Sequence, residues 1–274
     1  SQINPFFLSM IGSITRACSK FGYDLLISFQ QASNDWHADF EDSRKADGII
    51  LLGYGDYLDY TSRLNKLIVQ GTHFVRWGPV LPGQPGVSIG CDNLLAGREM
   101  VEHLLLQGHR HIAFLGHASE HYPEFFNRYR GYVAALQQAG LVVNDAYQVD
   151  AFTSEQGGYD AMNTLLDRGL TCDAVFAASD LIAIGAIRAI KERGIAIPEQ
   201  IAVAGFDNIP ISNFVSPTLT TVLQDTKQAG EIVGTTVCPL VTLAPVQSQM
   251  LPAKKIIRHS CGAVSQPSEH STAV

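Results

Sequence analysis

The stretch Val87 to Gly116, VSIGCDNLLAGREMVEHLLLQGHRHIAFLG, predicts the fold class of the whole chain. It opens with a short β-branched run, after which Asp92 and Asn93 supply a helix N-cap. The helix that follows carries apolar residues on one face and ends at Gly108. His111 to Gly116 is predicted as a buried strand. One strand–helix–strand unit of this kind implies a parallel sheet with right-handed crossovers.

The same alternation continues on both sides of this stretch. Further strands are predicted at 23–29, 47–52, 73–77, 173–178 and 201–206, with short terminal strands at 250–251 and 255–257. Further helices are predicted at 6–20, 36–44, 57–69, 125–139, 181–193 and 225–243, and one more follows a capping box at 153–156 and runs to 167. Alternating strands and helices predict an α/β protein with doubly wound parallel sheets.

Length and composition narrow the class of protein. A chain of 274 residues is long for one hydrophobic core and comfortable for two lobes. The net charge of −7, with scattered basic residues, argues against a nucleic-acid-binding surface. The five cysteines are dispersed and form no CxxC pair, which is typical of free thiols in a cytosolic protein. We recognise no secretory signal and no apolar run of about 20 residues, so a cytoplasmic protein is expected.

Ligands of doubly wound sheets bind beyond the carboxyl ends of the strands. In this sequence the rule points to five places, which are Gly53-Tyr54, Gly78, His117, Ala178–Asp180 and Phe206–Asn208.

Several motifs in order resemble one known family. They are Asn4-Pro-Phe-Phe7, Asp47-Gly-Ile-Ile50, Asp92-Asn93 with His103-Leu104 and Gly108-His-Arg-His-Ile-Ala113, Arg128-Tyr-Arg-Gly-Tyr132, Ala178-Ser-Asp180, Gly205-Phe-Asp-Asn208 and Pro217-Thr-Leu-Thr-Thr221. With these motifs the chain resembles the effector-binding core of the LacI/GalR family of bacterial transcription regulators. That core shares its fold with periplasmic sugar-binding proteins, and the resemblance covers the chain from Asn4 to about Gly262.

The resemblance implies a periplasmic-binding-protein-like fold of type I, with two lobes joined by three crossovers near Gly108, Val222 and Met250. The implied N-terminal lobe comprises 1–108 and 223–248, the C-terminal lobe 109–222 and 249–262, and a mobile tail 263–274. The family's first strand would stand just before Asn4, and its helix-turn-helix further upstream. Neither is present in this sequence, so we expect a truncated or processed chain.

The resemblance also implies a function. A small-molecule effector would bind between the lobes and modulate DNA binding by the helix-turn-helix that this chain lacks. A carbohydrate is the first expectation, and a nucleoside or purine the second. A homodimer is expected, with no cofactor, no metal and no membrane partner.

Sugars need planar hydrogen-bonding groups for their hydroxyls and an aromatic ring for their C–H face. Carried over from the family's motifs, the polar candidates are Arg128, Asp207, Ser179 and Asp180. The aromatic candidates are Phe7 and Phe152, either of which would fit a hydrophobic core equally well. Gln224 is a further candidate, because it and Asp225 lie at a predicted lobe crossover where helix capping is the alternative role.

Each polar candidate also has a structural alternative. Arg128 fits a solvated helix surface, and Asp207 fits a cap on the turn that follows it. Asp180 is most simply a helix N-cap, which is the role we favour for it. Ser179 stands where the family often has asparagine, and its shorter side chain lacks the amide fork.

Catalysis is not predicted. The sequence contains no GxSxG, HExxH or P-loop motif. His109 and His111 alternate at a strand start, so they are expected on opposite faces, where they would not easily chelate one metal. Two rivals to the regulator remain: a periplasmic sugar-binding protein of a transporter, and an enzyme on the same scaffold.

Overall fold

The computed structural model describes residues 4–28, 35–53 and 57–263, without the side chains of 58 and 59. Strands and helices alternate in this part of the chain, as the sequence predicts. The helices of this part are α1 Pro5–Ser19, α2 Tyr57–Val69, α3 Asn93–Leu106, α4 Pro123–Gln138, α5 Glu155–Asp167, α6 Asp180–Glu192 and α7 Thr226–Val241. Its strands are β1 Ile49–Leu52, β2 Phe74–Trp77, β3 Val87–Cys91, β4 Ile112–Leu115, β5 Gln148–Val149, β6 Ala174–Ala177, β7 Ala202–Ala204, β8 Thr221–Leu223, β9 Gln249–Leu251 and β10 Lys254–Ile256. The predicted α/β class with parallel sheets is confirmed.

The chain divides into two compact units. The first unit comprises Ser1–Asp92, Ser119–Phe126 and Gln224–Ala253. Its sheet has the order β1-β2-β3-β9, and all three pairings are parallel. Helix α1 packs against α7, and the rings of Phe6 on α1 and Trp77 at the end of β2 lie 5.8 Å apart.

The second unit comprises Asn93–Ala118, Asn127–Leu223 and Lys254–Val274. Its sheet has the order β5-β4-β6-β7, again parallel throughout. The antiparallel pair of β8 and β10 stands beside it, and Asp207 and Leu223 form a single parallel bridge. The core of this unit contains the packed rings of Phe114, Tyr132 and Phe176. The Tyr132 hydroxyl donates to the carbonyl oxygen of Ile112 at 2.8 Å.

The units divide the chain at different residues from those predicted. Helix α3 was expected in the N-terminal lobe of 1–108, yet it belongs to the second unit. The reason is its packing on α4, where Gly131 lies so close to α3 that a Cβ atom there would overlap the carbonyl oxygen of Leu94. Strand β9 pairs with β3, so residues 249–253 belong to the first unit and not, as predicted, to the C-terminal lobe of 109–222 and 249–262.

Two local predictions are wrong. Residues 23–28 of the predicted strand 23–29 lie in none of the sheets of the described chain, and the side chains of Leu26 and Ile27 are exposed. A strand requires a neighbour that shares its backbone hydrogen bonds, and alternating residues alone do not supply one. The capping box is displaced by one residue, since Ser154 and not Thr153 caps α5 by accepting from the Gly157 N–H. Phe29, Tyr54 and tail residues 264–274 lie outside the described residues.

Candidate functional site

Polar side chains meet at the carboxyl edge of the second unit's sheet. His117 comes shortly after β4, Ser179 and Asp180 come after β6, and Asp207 comes after β7. Strand β6 pairs in parallel with both β4 and β7. The segments that follow these strands therefore start from one edge, where doubly wound sheets bind their ligands.

Arg128 reaches this edge from α4, and its guanidinium is held on several sides. The Nε atom donates to the Asn93 side-chain oxygen at 2.8 Å, and Nη1 donates to the carbonyl oxygen of Ala178. The guanidinium lies over the Phe206 ring, with its central carbon 3.7 Å from the ring centroid. Arg128 is buried, so the alternative of a solvated surface charge is wrong.

Asp207 lies beside this arginine. Its carboxylate oxygen is 3.8 Å from Nη1 of Arg128, and both side chains are buried. A guanidinium provides donors only, and an ionised carboxylate provides acceptors only. The pair therefore presents the two complementary functions that neighbouring hydroxyl groups of one ligand would use.

The backbone around Asp207 is strained. Asp207 has φ of 113° and Asn208 has φ of 55°, a conformation that side chains with a Cβ rarely adopt. Each such residue costs about 1–3 kcal/mol and persists only where its surroundings fix it. The Asp207 N–H donates to the carbonyl oxygen of Val222 at 2.9 Å, and the Asn208 N–H donates to Thr221 Oγ1 at 3.3 Å. Strand β8 thus holds this turn.

The N-cap role that the sequence favoured for Asp180 belongs to Ser179, and contact of Ser179 with a ligand stays a prediction. Ser179, not Asp180, is the N-cap of α6, and its hydroxyl accepts from the Ile182 N–H at 3.3 Å. Asp180 is fully buried, and its carboxylate accepts from the Ile209 N–H, the Ser212 hydroxyl and the Thr221 hydroxyl.

Asp180 also holds the turn that begins at Pro210, because its carboxylate accepts from the Ile209 N–H and the Ser212 hydroxyl. A cap on the same turn from Asp207 stays a prediction. Burial, and secondarily the charge of Asp207, raises the pKa of Asp180 to about 7.

Phe152 is exposed at the same unit's surface, with 66% of its area accessible, so the alternative of a core ring is wrong. It meets the imidazole of His117 edge to face, with 4.7 Å between the ring centroids. The Nδ1 atom of His117 is 3.5 Å from a carboxylate oxygen of Asp150, which also accepts from the Gln148 amide at 2.9 Å. An exposed, laterally supported ring suits stacking against a ligand.

Phe7 and Gln224 belong to the first unit. The Phe7 ring is half-buried, stands edge-on to Phe6 at 5.4 Å and covers Gly53. Gln224 is buried, and Asp225 after it caps α7 by accepting from the N–H groups of Lys227 and Gln228, which confirms the capping role for Asp225. Contact of Phe7 and Gln224 with a ligand stays a prediction.

The sequence did not single out several residues of this edge. Asn93 was interpreted only as a helix cap, although its side chain orients Arg128. Phe206 lies in the motif Gly205-Phe-Asp-Asn208, yet nothing in the sequence indicated that its ring would lie beneath the Arg128 guanidinium. Arg258, whose Nη2 donates to the Asn208 side chain at 2.6 Å, is 50 residues away in sequence and carried no signal.

The histidine prediction is also corrected. His109 and His111 do not point apart, because their Nδ1 atoms are 3.7 and 3.4 Å from the two carboxylate oxygens of Asp173. Even so, the described part of the chain contains no cluster of three or more His, Cys, Asp or Glu side chains suited to a metal ion. Nor does any helix within those residues have the length and apolar character needed to cross a bilayer.

Comparison with known proteins extends the resemblance. The family model of the periplasmic binding protein-like domain matches residues 101–261. The ribose operon repressor of Escherichia coli (strain K12) is 28% identical over 260 residues, which cover 94% of this chain and 78% of the repressor. The HTH-type transcriptional repressor PurR of Histophilus somni (strain 129Pt) is 30% identical over 234 residues, covering 82% of this chain and 68% of that protein.

Solved structures agree with these relatives. The transcriptional regulator CelR, in complex with cellobiose, has a TM-score of 0.85 at 26% identity and covers 94% of this chain and 79% of its own. A LacI family transcriptional regulator from Enterococcus faecium with bound ribose has a TM-score of 0.81 at 25% identity, with 94% of each chain covered. This chain belongs to the LacI family of transcriptional regulators and contains its periplasmic-binding-protein-like core.

Proposed function

We propose that this chain senses a carbohydrate effector, which it binds at the carboxyl edge of the second unit through Arg128 and Asp207. The observation that carries the proposal is the Arg128–Asp207 pair, with Phe206 under the guanidinium and a distance of 3.8 Å between the charged atoms. Because one partner only donates and the other only accepts, the pair suits two adjacent hydroxyl groups.

Phe152 supports a carbohydrate in particular. Its exposed ring offers an apolar face in the same unit as the polar pair, and a sugar ring has an apolar C–H face to stack on it. Two of the similar proteins are a repressor named for the ribose operon and a regulator with bound ribose. The PurR relative makes a purine the second candidate. Phe7 and Gln224 remain candidate ligand contacts in this proposal.

The proposed effector acts on transcription. Its occupancy would alter DNA binding by a helix-turn-helix domain, in a cytoplasmic homodimer. The relatives are repressors by name, which favours a regulator over both a transporter's binding protein and an enzyme. A ligand shifts such an equilibrium only by its difference in affinity for the two states of the protein.

Thermal unfolding with a panel of pentoses, hexoses, disaccharides, nucleosides and purines tests the proposal, and isothermal titration then measures the affinity of each ligand that binds. A ligand at 100 times its Kd raises the free energy of unfolding by about 2.7 kcal/mol. We expect one sugar or a narrow group of sugars to do so. A panel in which only purines bind would replace the carbohydrate, and a panel without binding would contradict the proposal.

The variant Arg128→Ala tests the assigned residues. We expect affinity for the selected sugar to fall about 10- to 150-fold, since hydrogen bonds to charged groups contribute about 1.5–3 kcal/mol each. Arg128→Lys keeps the positive charge but lacks the forked guanidinium, so the loss of sugar affinity should be nearly as large. Arg130→Ala, at an exposed position of the same helix, is the matched control and should bind as the wild type does. Equal affinity in all variants would remove Arg128 from the site.

A further inference from the structure

Asp180 lies beneath the candidate site and is bonded to the segment that carries Asp207. Its Oδ2 atom accepts from the Ile209 N–H at 2.9 Å and from the Ser212 hydroxyl at 2.6 Å, while Oδ1 accepts from the Thr221 hydroxyl. The side chain is fully buried, and a Cβ atom at Gly205 would overlap Oδ1. The described surroundings thus enclose the carboxylate and supply donors to both of its oxygens.

The Thr221 hydroxyl links this carboxylate to the strained turn. It donates to Asp180, and it accepts from the Asn208 N–H at 3.3 Å. Because a hydroxyl has one proton, its donation to Asp180 leaves a lone pair for Asn208. Asp180 therefore fixes one side of the turn through Thr221 and the other side directly through Ile209.

We propose that Asp180 is a positioning residue for effector binding, which holds the Asp207–Asn208 turn in its left-handed conformation without touching the effector itself. This inference rests on the proposed function, in which Asp207 binds the effector. It assigns a different role to Asp180, which the sequence suggested as a ligand contact or a helix cap.

The charge on Asp180 decides how well it performs this role. An ionised carboxylate accepts from all three donors, whereas a protonated one turns one oxygen into a donor that has to compete with them. Burial raises the pKa of Asp180 to about 7, and the charge of Asp207 adds to the effect. Of the other charged groups, Arg258 opposes the shift by favouring the ionised form, and Arg128 lies against Asp207.

The proposal predicts opposite pH dependences for effector affinity and for stability. An aspartate titrates at about pH 3.9 in an unfolded chain. With a folded pKa near 7, the stability contributed by Asp180 is fully present below about pH 4 and is lost as the pH rises through 7. Effector affinity should instead rise with pH over the same range. If the bound state requires the ionised carboxylate, affinity should be about tenfold higher at pH 8 than at pH 6.

The variant Asp180→Asn separates the two effects. The amide has nearly the same shape but no charge, and its nitrogen cannot accept from the Ile209 N–H or from a hydroxyl. At pH 8 we expect the variant to unfold at the same temperature as the wild type or at a higher one. At that pH it should nevertheless bind the selected sugar at least fivefold more weakly than the wild type does. Its affinity should not change between pH 6 and pH 8. Thr221→Val, which removes only the linking hydroxyl, should also weaken binding. Asp160→Asn, at an exposed site of α5, is the control.

A second readout needs no effector. Hydrogen exchange of the amides at Asn208 and Ile209, corrected for the intrinsic effect of pH, should be faster in Asp180→Asn than in the wild type. In the wild type this exchange should accelerate below pH 7. If the panel contains no ligand, the proposed function fails and exchange still decides the role of Asp180. Unchanged exchange and affinity in the variant, or affinity that falls only together with stability, would overturn the inference.

Discussion

Phe152 and Arg128, both candidates for ligand contact in the second unit, differ in how the protein supports them. Arg128 is buried and hydrogen-bonded, so its replacement alters a packed interior as well as a candidate binding group. Phe152 is exposed, and its ring meets the imidazole of His117 edge to face. Replacing Phe152 by alanine should therefore change ligand binding with little change in stability, whereas replacing Arg128 is expected to change both.

We expect Phe152→Ala to leave the free energy of unfolding within about 0.5 kcal/mol of the wild type, as for other exposed sites. The same change should weaken sugar binding by about 0.5–1.5 kcal/mol, since aromatic contacts contribute that much beyond burial. Urea unfolding and calorimetric titration measure the two quantities. Phe214→Ala removes a ring that is 83% exposed in the same unit and should change neither. Equal sugar affinities in the two variants would contradict a stacking role for Phe152.

Among the elements, the contact of α3 with α4 matters most for the site. Arg128 lies on α4, and the Asn93 side chain that orients it is the first residue of α3. The two helices meet at Gly131, where a Cβ atom would overlap the Leu94 oxygen and lie 2.5 Å from the Arg98 nitrogen. Any added side chain must push α4 from α3 and so separate Arg128 from Asn93.

Gly131→Ala should accordingly lower the free energy of unfolding by about 1–3 kcal/mol, the usual cost of overpacking. It should also weaken sugar binding, although alanine is by itself the better helix former. Gly12→Ala in α1 is the matched control, because nothing lies within 4 Å of its added Cβ atom. That variant should gain about 0.5–1 kcal/mol. Urea unfolding of both proteins is the measurement, and a stable Gly131→Ala variant would show that the helices tolerate separation.

How far the sequence predicted these elements depended on the range of the interactions. Helix and strand periods are local, so α3, β4 and α6 were predicted nearly as they stand. The assignment of α3 to the second unit depends on glycines that let two helix backbones approach closely. A single sequence does not show which face of a helix makes such an approach, or which other helix it meets. The same holds for the site. Arg128 and Asp207 were predicted from the family motifs, while the ring beneath the arginine and the three donors on Asp180 arise from residues far apart in the chain.

At the scale of the whole molecule, tryptophan fluorescence and cysteine labelling can follow the two units separately. Trp36 and Trp77, the chain's two tryptophans, lie in the first unit, whereas Cys172 and Cys261 lie in the second. Cys172 is half-buried, and desolvation raises its pKa to about 12, so its thiol should react much more slowly with alkylating reagents in the folded unit than in the unfolded one. Cys18, Cys91 and Cys238 lie in the first unit with the tryptophans. Tryptophan fluorescence therefore reports on the first unit, and labelling at Cys172 in particular reports on the second.

We expect the selected sugar, at 100 times its Kd, to protect Cys172 from labelling by maleimide in urea. The protection should correspond to about 2.7 kcal/mol, because the proposed polar contacts of Arg128 and Asp207 belong to the same unit. Mass spectrometry of the labelled peptides gives the urea midpoint for Cys172, and tryptophan fluorescence gives that of the first unit. A sugar that shifts only the fluorescence midpoint would move the main contacts to the first unit.

The bridge between Asp207 and Leu223 has a mechanical consequence. Leu223 is the last residue of the second unit before the chain passes to Gln224, and the Asp207 N–H is bonded to the residue just before it. The turn that carries Asp207 and the segment at which the chain leaves the second unit are thus bonded to each other through the main chain. A force on Asp207 therefore reaches this segment through one main-chain hydrogen bond, without any intervening side chain.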